Sequence, residues 1–394
     1  MGCLKSIQPE EQTAGTDSRF RPKLGDGNDM STSIPVAGFV HGPAIAYGPT
    51  LAPPIDPMRA NVGKWEKRGD EAGTMEPLVF EPYLRPTPWG GRKLGELFAK
   101  PLPEAGNFGE SWEISPHPVH VSRVADGPHR GKTLNELCDA YPRELLGTAA
   151  GRFPLLIKLL DCRELLSIQV HPNDALAPKL SAECNGKTEA WVVLHAERGS
   201  KIDAGFKPGV TRAEVERRLA EGTLEGALHS FAPQAGQCLY LPAGTVHAVG
   251  GGVVMAEVQQ ASDATFRLYD WNRVGTDGKP RQLHIPEALE SIDWSRGPVD
   301  PVVPVLIRHE GDIREEQLVR SECFALDRLT LQAGATLEAT GPAIWMGLAG
   351  RAKVGETPLV AGGSILVPAE GATSIRAERP ATLLRVRFGN SASE

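Results

Sequence analysis

The sequence predicts a mainly β protein built as two jelly-roll-type β-barrels, with a small helical segment inserted in the first. Three observations predict it. From Leu78 onward, short apolar runs are separated by Gly and Pro, the pattern of sandwiches and barrels. The stretch from Thr211 to Ser230 departs from that pattern and follows a helical period instead. The run AGQCLYLPAGTVHAVGG at 235–251 is echoed by AGGSILVPAEGATSIRA at 361–377, as a pair of related barrels would leave it, and the second copy lacks a counterpart of His247.

Taken in order, Thr133 to Leu146 reads as a first helical piece. PLLIKLLDC, LLSIQVHP, AWVVLHA, GQCLYLPAG and VVMAEVQQ read as strands. Between the third and fourth of these, Thr211 is a good N-cap with Glu214 three residues on. Val215, Leu219, Leu224 and Leu228 recur at roughly helical intervals around Gly222, which predicts one or two inserted helices. A third helical piece is expected around Pro286 to Ile292.

Composition narrows the function. The 394 residues are 41% hydrophobic, enough for a large core. No apolar stretch reaches the ~18 residues that a membrane span needs. With 42 basic against 49 acidic side chains, the net charge of -7 gives no footprint for nucleic acid. A phosphate-bearing ligand must therefore be held by local cations, and the expected partner is a small molecule. Six cysteines lie far apart without a Cys-x-x-Cys pair, which fits reduced thiols in the cytoplasm. Residues 1–74 are rich in Pro, Gly, Asp and Ser and show no sustained period; they read as a disordered extension, or as the product of a misassigned start with Met75 the true one.

The chemistry concentrates in a few segments. In Ser167-Ile168-Gln169-Val170-His171-Pro172-Asn173-Asp174, strand alternation points Gln169 and His171 to one side. Glu189 opens the apolar run Ala190-Trp191-Val192-Val193-Leu194, where a buried carboxylate wants a cation. His247 follows a Pro-Gly turn. Two imidazoles, a carboxylate and an amide oxygen suit a borderline divalent ion such as Zn²⁺, one per chain. His117, His120, His129, His195, His229, His284 and His309 carry no comparable context. The chain also lacks Gly-x-Gly-x-x-Gly, Gly-x-Ser-x-Gly and His-Glu-x-x-His, so nucleotide, serine-hydrolase and zinc-protease readings lose support.

The ordered motifs PWGG at 88–91, GESWEIS at 109–115, LLSIQVHPND, GKTEAW and YLPAGTVHAVGGGVVMAEVQQASDATFRLYDWNR resemble those of type I mannose-6-phosphate isomerase in its compact bacterial form. The resemblance runs to the C-terminus. It implies two cupin-type barrels: a catalytic metal-binding domain at 75–300, with the helical insert around 208–230, and a cupin-like domain at 301–394 without metal ligands. It implies that Gln169, His171, Glu189 and His247 are the metal ligands. Arg267 matches the catalytic arginine, Glu257 and Asp263 match acidic residues of the active site, Lys187 matches the lysine two before the metal-binding Glu, and Ser167 matches a phosphate-contacting serine.

Arg267 and Arg273, six apart in an alternating run, are expected to share a strand face. An arginine at 273 stands where longer members of the family carry a phosphate-binding lysine. Those longer members also carry a His before the active-site lysine, where this chain has Gly186. The implied reaction interconverts mannose 6-phosphate and fructose 6-phosphate through an enediol, with Glu257, Asp263, Lys187 or a metal-held water as the proton carrier and a carboxylate favoured. A non-catalytic sugar-phosphate sensor and a cupin oxygenase are the alternatives. The partner is a sugar phosphate, neither nucleic acid nor membrane is expected, and the chain is expected to be a monomer or small homo-oligomer.

Overall fold

The computed structural model describes residues 75–149, 151–180, 185–271, 273–274 and 278–389. The expectations for residues 1–74 lie outside the described residues. Among the described residues, eleven strands form the first half: β1 (Tyr83–Gly91), β2 (Phe108–Ile114), β3 (Leu155–Cys162), β4 (Ile168–Val170), β5 (Glu189–Ala196), β6 (Ile202–Phe206), β7 (Leu228–Phe231), β8 (Cys238–Leu241), β9 (His247–Val249), β10 (Val253–Gln260) and β11 (Phe266–Tyr269). Ten more follow: β12 (Val305–Glu310), β13 (Ile313–Arg320), β14 (Phe324–Leu331), β15 (Thr336–Thr340), β16 (Ala343–Ala349), β17 (Arg351–Val354), β18 (Thr357–Val360), β19 (Ser364–Val367), β20 (Ala372–Ala377) and β21 (Ala381–Phe388).

The protein is therefore mainly β, and its strands lie in open sheets rather than closed barrels. The sheets have the orders β1-β2-β3-β10-β5-β8, β11-β4-β9-β6-β7, β12-β13-β14-β21-β16-β19 and β15-β20-β17-β18. Two-residue alternation explains how they stack. Along β3, Leu155, Ile157 and Leu159 enter one core, and along β21 Leu384, Val386 and Phe388 enter the same one, so the two six-stranded sheets meet back to back. Leu160 and Cys162 of β3 turn the other way, onto Ala204 of β6 and Val249 of β9. Leu383 of β21 likewise turns onto Leu337, Val354 and Ile375 of the four-stranded sheet.

The helical segments 212–227 and 285–291 cover the outside of the five-stranded sheet, whereas those at 134–146 pack into the central core. The helix Arg212–Glu221 starts at Thr211, whose hydroxyl accepts from Glu214 N, and stops at Gly222 with φ 68°. A 3-10 turn Leu224–Ala227 follows. The expected insert ends there, because Leu228 to Phe231 pair with β6 as a strand. The expected helix over Thr133 to Leu146 is two helices, Leu134–Ala140 and Pro142–Leu146, the first closed by a capping box of Thr133 and Glu136. The third is Ile285–Ser291. Among the described residues, no helix is long and apolar enough to cross a membrane.

The echo in sequence is an equivalence in register. Arg85 pairs with Glu110 across β1 and β2, as Arg308 pairs with Glu315 across β12 and β13. Lys158, Glu257 and Trp191 face one another across β3, β10 and β5, and the matching trio across β14, β21 and β16 is Asp327, Arg385 and Trp345. The central ion pair is thus reversed in sign. Gln169 opposite His247 becomes Ala339 opposite Thr373, and Glu189 opposite Leu241 becomes Ala343 opposite Val367.

The reversed cluster is closely packed. Asp327 accepts from Arg385 at 2.9 Å and from Arg387 at 2.7 Å. Asp327→Ala takes a shared carboxylate from two part-exposed guanidiniums, of which Arg385 keeps Glu315, so the loss should lie below the ~3–5 kcal/mol typical of breaking a fully buried pair. Denaturant unfolding should show that loss, while metal analysis shows unchanged metal per folded chain.

Candidate metal centre and cavity

Strand alternation delivers the donors. Ile168 and Val170 of β4 pack under the helical layer, which sends Gln169 to the inner face, where it pairs with His247 of β9. Ala190 and Val192 of β5 enter the central core, so Glu189 and Trp191 face inward. His171, Glu189 and His247 are buried, and one donor atom of each lies within 4.8 Å of the others. Glu189 Oε2 is 3.5 Å from His171 Nε2, and Oε1 is 3.3 Å from His247 Nε2.

Backbone carbonyls orient both imidazoles. His171 Nδ1 lies 2.6 Å from Ala264 O, and His247 Nδ1 lies 3.0 Å from Thr245 O. A carbonyl can only accept, so each Nδ1 carries the hydrogen and each Nε2 keeps its lone pair for the centre. Burial, with the Lys187 ammonium beside it, pushes His247 down to about 3. Burial first, then Lys187 and His247, hold His171 well below the usual imidazole range. Both rings are therefore neutral donors. Burial raises Glu189 to about 7 against the pull of Lys187. Among the described residues, Glu189 Oε1 is buried without a hydrogen-bond donor, an orphaned acceptor facing the lone pair of His247 Nε2. This donor set fits a divalent cation. Lys187 already brings a positive charge there, its Nζ bonding Glu189 Oε2 and lying 3.2 Å from His171 Nε2.

Gln169 joins the cluster through its amide, with Nε2 3.2 Å from His247 Nε2 and Oε1 accepting from Ser167 Oγ at 3.1 Å. A half-turn of the amide presents Oε1 to the same point.

Above the donors lies a cavity of about 370 Å³, whose wall includes Ser167, Gln169, Lys187, Glu257, Asp263 and Arg267. The PWGG segment forms one side. The β1 register passes from Pro86 to Gly91 opposite the same residue, Phe108, so the segment bulges out of the ladder. A Cβ on Gly90 would stand 2.2 Å from Gly109 N, which is why both motifs carry glycine there.

The cavity is rich in cations. Arg267 is largely buried, its Nε has no hydrogen-bond partner among the described residues, and burial followed by the neighbouring Arg281 lowers its pKa. Lys158 stands 3.4 Å from Glu257 and 3.7 Å from Glu110, with its Nζ 5.2 Å from the centre of the Trp112 ring. Burial opposes its charge, but Glu257 and Glu110 outweigh burial and raise its pKa. Burial likewise works against ionisation of Glu257, yet Lys187 and Lys158 hold it at about 2.

One expectation fails on geometry. Strand β11 ends at Tyr269, and Trp271 takes φ 56°, so Arg267 and Arg273 do not share a face. Arg273 bonds Asp270 and the Leu165 carbonyl instead, and it does not line the cavity. Arg281 does line it, together with Arg85, Glu110 and Lys158, none of which was singled out as a site residue. Lys158 had a signal, a lone lysine in the apolar run PLLIKLLDC. Arg281 had none, because it reaches the cavity from a loop beyond β11.

Fold and site thus define a mainly β protein in which a buried His/Glu/His donor set opens into a cationic cavity. Residues 79–190 match the family model described as phosphomannose isomerase type I, catalytic domain. The chain is 34% identical over 281 residues to a mannose-6-phosphate isomerase of Streptococcus mutans, covering 71% of this chain and 87% of that one. It is 35% identical over 274 residues to mannose-6-phosphate isomerase ManA of Bacillus subtilis, covering 68% and 84%. The crystal structure of a Bacillus subtilis mannose 6-phosphate isomerase superimposes with a TM-score of 0.73 at 31% identity, over 80% of this chain and all of that one. The chain belongs to the type I mannose-6-phosphate isomerase family.

His171→Ala and His247→Ala should each abolish stoichiometric metal binding, because a remnant set loses one of two neutral imidazoles from a closed geometry. Elemental analysis after dialysis checks this, and full metal retention in both variants would overturn the assignment.

Proposed function

We propose that this chain is an aldose-ketose isomerase that interconverts mannose 6-phosphate and fructose 6-phosphate through an enediol, with one zinc ion held by Gln169, His171, Glu189 and His247. The observation that carries this reading is Arg267, a largely buried guanidinium on the cavity wall close to a metal-type donor set. Mixed imidazole and carboxylate donors suit zinc. When bound, the ion supplies Lewis acidity to a sugar oxygen. We assign the catalytic role to the half at 75–300, and a scaffolding role to 301–394, each as a cupin-type sandwich.

The protein's own groups divide the remaining work. Arg267 offsets the negative charge of the enediolate, at a site where burial strengthens its field. Glu257 receives the Trp191 indole N–H at 3.1 Å and stands between Lys158 and Lys187. A carboxylate so stabilised is a weak base, and its role is to keep both ammoniums in place. Asp263 stands on the wall with Arg85 3.7 Å away; it is the carboxylate that carries the proton between neighbouring carbons. Ser167 and Arg281 hold the phosphate. Arg281 takes the role expected of Arg273, its Nη1 lying 3.4 Å from Asp270, which also binds Arg273.

A coupled assay of fructose 6-phosphate formation, with metal analysis of the same sample, tests the whole reading. A zinc-loaded protein that binds sugar phosphate without turnover would favour a sensor. Arg267→Lys should lower kcat ~10²–10³-fold with little change in KM, since its partner charge exists mainly near the transition state. Arg281→Ala should raise KM and nearly keep kcat. If the effects of these two variants are exchanged, the two assignments exchange as well.

Asp263→Asn should lower turnover ~10²–10⁴-fold, the usual range for removing a general acid-base group. Exchange of the substrate C2 proton with solvent should fall in parallel. Persistence of that exchange would move the proton to another group.

A further inference from the structure

We propose that Gln260 and Asp174 are positioning residues: from outside the cavity, their side chains fix where Lys187 and Glu189 stand relative to His171. This rests on the reading of His171, Glu189 and His247 as the set that holds the metal.

The turn at 185–188 has no regular secondary structure, yet it carries Lys187 and delivers Glu189 into β5. The ladder between β5 and β10 ends where Glu189 meets Gln259. One residue further on, Gln260 N donates to Thr188 O at 3.1 Å. Thr188 N then donates to the side-chain Oε1 of Gln260 at 2.8 Å. The amide oxygen stands in for the carbonyl that another rung would supply, and it ties the turn to the strand that carries Glu257.

The other end of the amide reaches the loop that follows His171. Gln260 Nε2 lies 3.2 and 3.0 Å from the two carboxylate oxygens of Asp174. Asp174 Oδ1 also accepts from Gly186 N at 3.0 Å, and Lys187 N donates to Pro172 O at 3.0 Å. The third donor segment is joined as well. Ala243 N donates to Thr188 Oγ1 at 3.2 Å, and Gly244 N to His171 O at 2.8 Å. The side-chain bracket therefore connects the segments bearing His171 and Glu189, and Thr188 Oγ1 ties in the segment bearing His247.

Gly186 is part of the device. A Cβ there would stand 2.5 Å from Asp174 N and 2.8 Å from Asn173 C. The turn can lie against the 173–174 backbone only with glycine at 186. Asp174 and Gln260 are not part of the cavity wall, so they act through Lys187 and Glu189 and not on the sugar.

The test uses the zinc-loaded full chain as wild type and as Asp174→Ala, Asp174→Asn and Gln260→Leu. Zinc release to a chelator is followed beside kcat, KM and thermal midpoint. Asp174→Ala and Gln260→Leu should release zinc about tenfold faster and lower kcat by a similar factor, the low end of the range for groups that orient metal ligands, with KM nearly unchanged. Asp174→Asn keeps Oδ1 as the acceptor for both Gly186 and Gln260, and should recover most of both losses. Wild-type zinc release and kcat in Asp174→Ala and Gln260→Leu, even with a lowered thermal midpoint, would reduce the bracket to a stabilising contact and overturn the proposal. So would equal losses in the Ala and Asn variants. Wild-type protein that takes up no zinc overturns the donor-set reading itself, whereas zinc-holding wild type beside unchanged variants overturns the bracket alone.

Discussion

A carboxylate buried with two neutral imidazoles is unstable unless positive charge is brought to it, because removing an ion from water costs several kcal/mol even after the protein relaxes. Glu189 imposes that demand on the first half of the chain. Lys187 answers part of it from two residues away, and the convergence of two Nε2 lone pairs on Glu189 leaves room for a stronger cation to answer the rest. The neighbouring groups follow from the same constraint. Lys187 and Lys158 bring charge, Glu257 and Glu110 balance them, and the indoles of Trp191 and Trp112 donate to those two carboxylates.

The second half shows what happens when the demand is removed. Its sheet repeats the register of the first, but Ala339, Ala343 and Thr373 take the places of Gln169, Glu189 and His247. With no buried ligand set to serve, the polar wall is free to change sign, and Lys158 with Glu257 becomes Asp327 with Arg385. The indole of Trp191 donates to Glu257, whereas Arg385 can only donate, so Trp345 Nε1 is left without a partner and the Arg385 guanidinium lies 5.8 Å from the centre of its ring. This half still matters mechanically. Its Phe324, Ile344 and Leu384 form the floor on which β3, β5 and β10 rest, and Arg328 reaches across to the Gly236 carbonyl at 2.7 Å.

Stiffness and charge therefore come from different layers. The central core fixes the strands, alternation turns every second residue toward the site, and short turns place the side chains that no strand holds. The cationic excess around Arg267 and Arg281 persists because, among the described residues, no carboxylate forms an ion pair with Arg267, and Asp270 is shared between Arg273 and Arg281. An anion entering the cavity meets donors already in position, which reduces reorganisation during reaction.

Much of this could be read from residues alone, for a physical reason: the period of a strand is short and local. Gln169 and His171 on one side, Glu189 at the head of an apolar run, and the helix begun by Thr211 are all decisions made within a few residues. The repeat at 235–251 and 361–377 marked the two halves because the same turn recurs at the same place in each. Tertiary structure alone decided what depended on partners distant in sequence. It ended β11 at Tyr269 and so kept Arg273 off the cavity wall, brought Arg281 onto that wall from the following loop, and made Leu228 to Phe231 a strand because β6 offered it an edge. It also set Lys158 between two carboxylates 48 and 99 residues away along the chain, a balance of charge that exists only once three strands lie side by side.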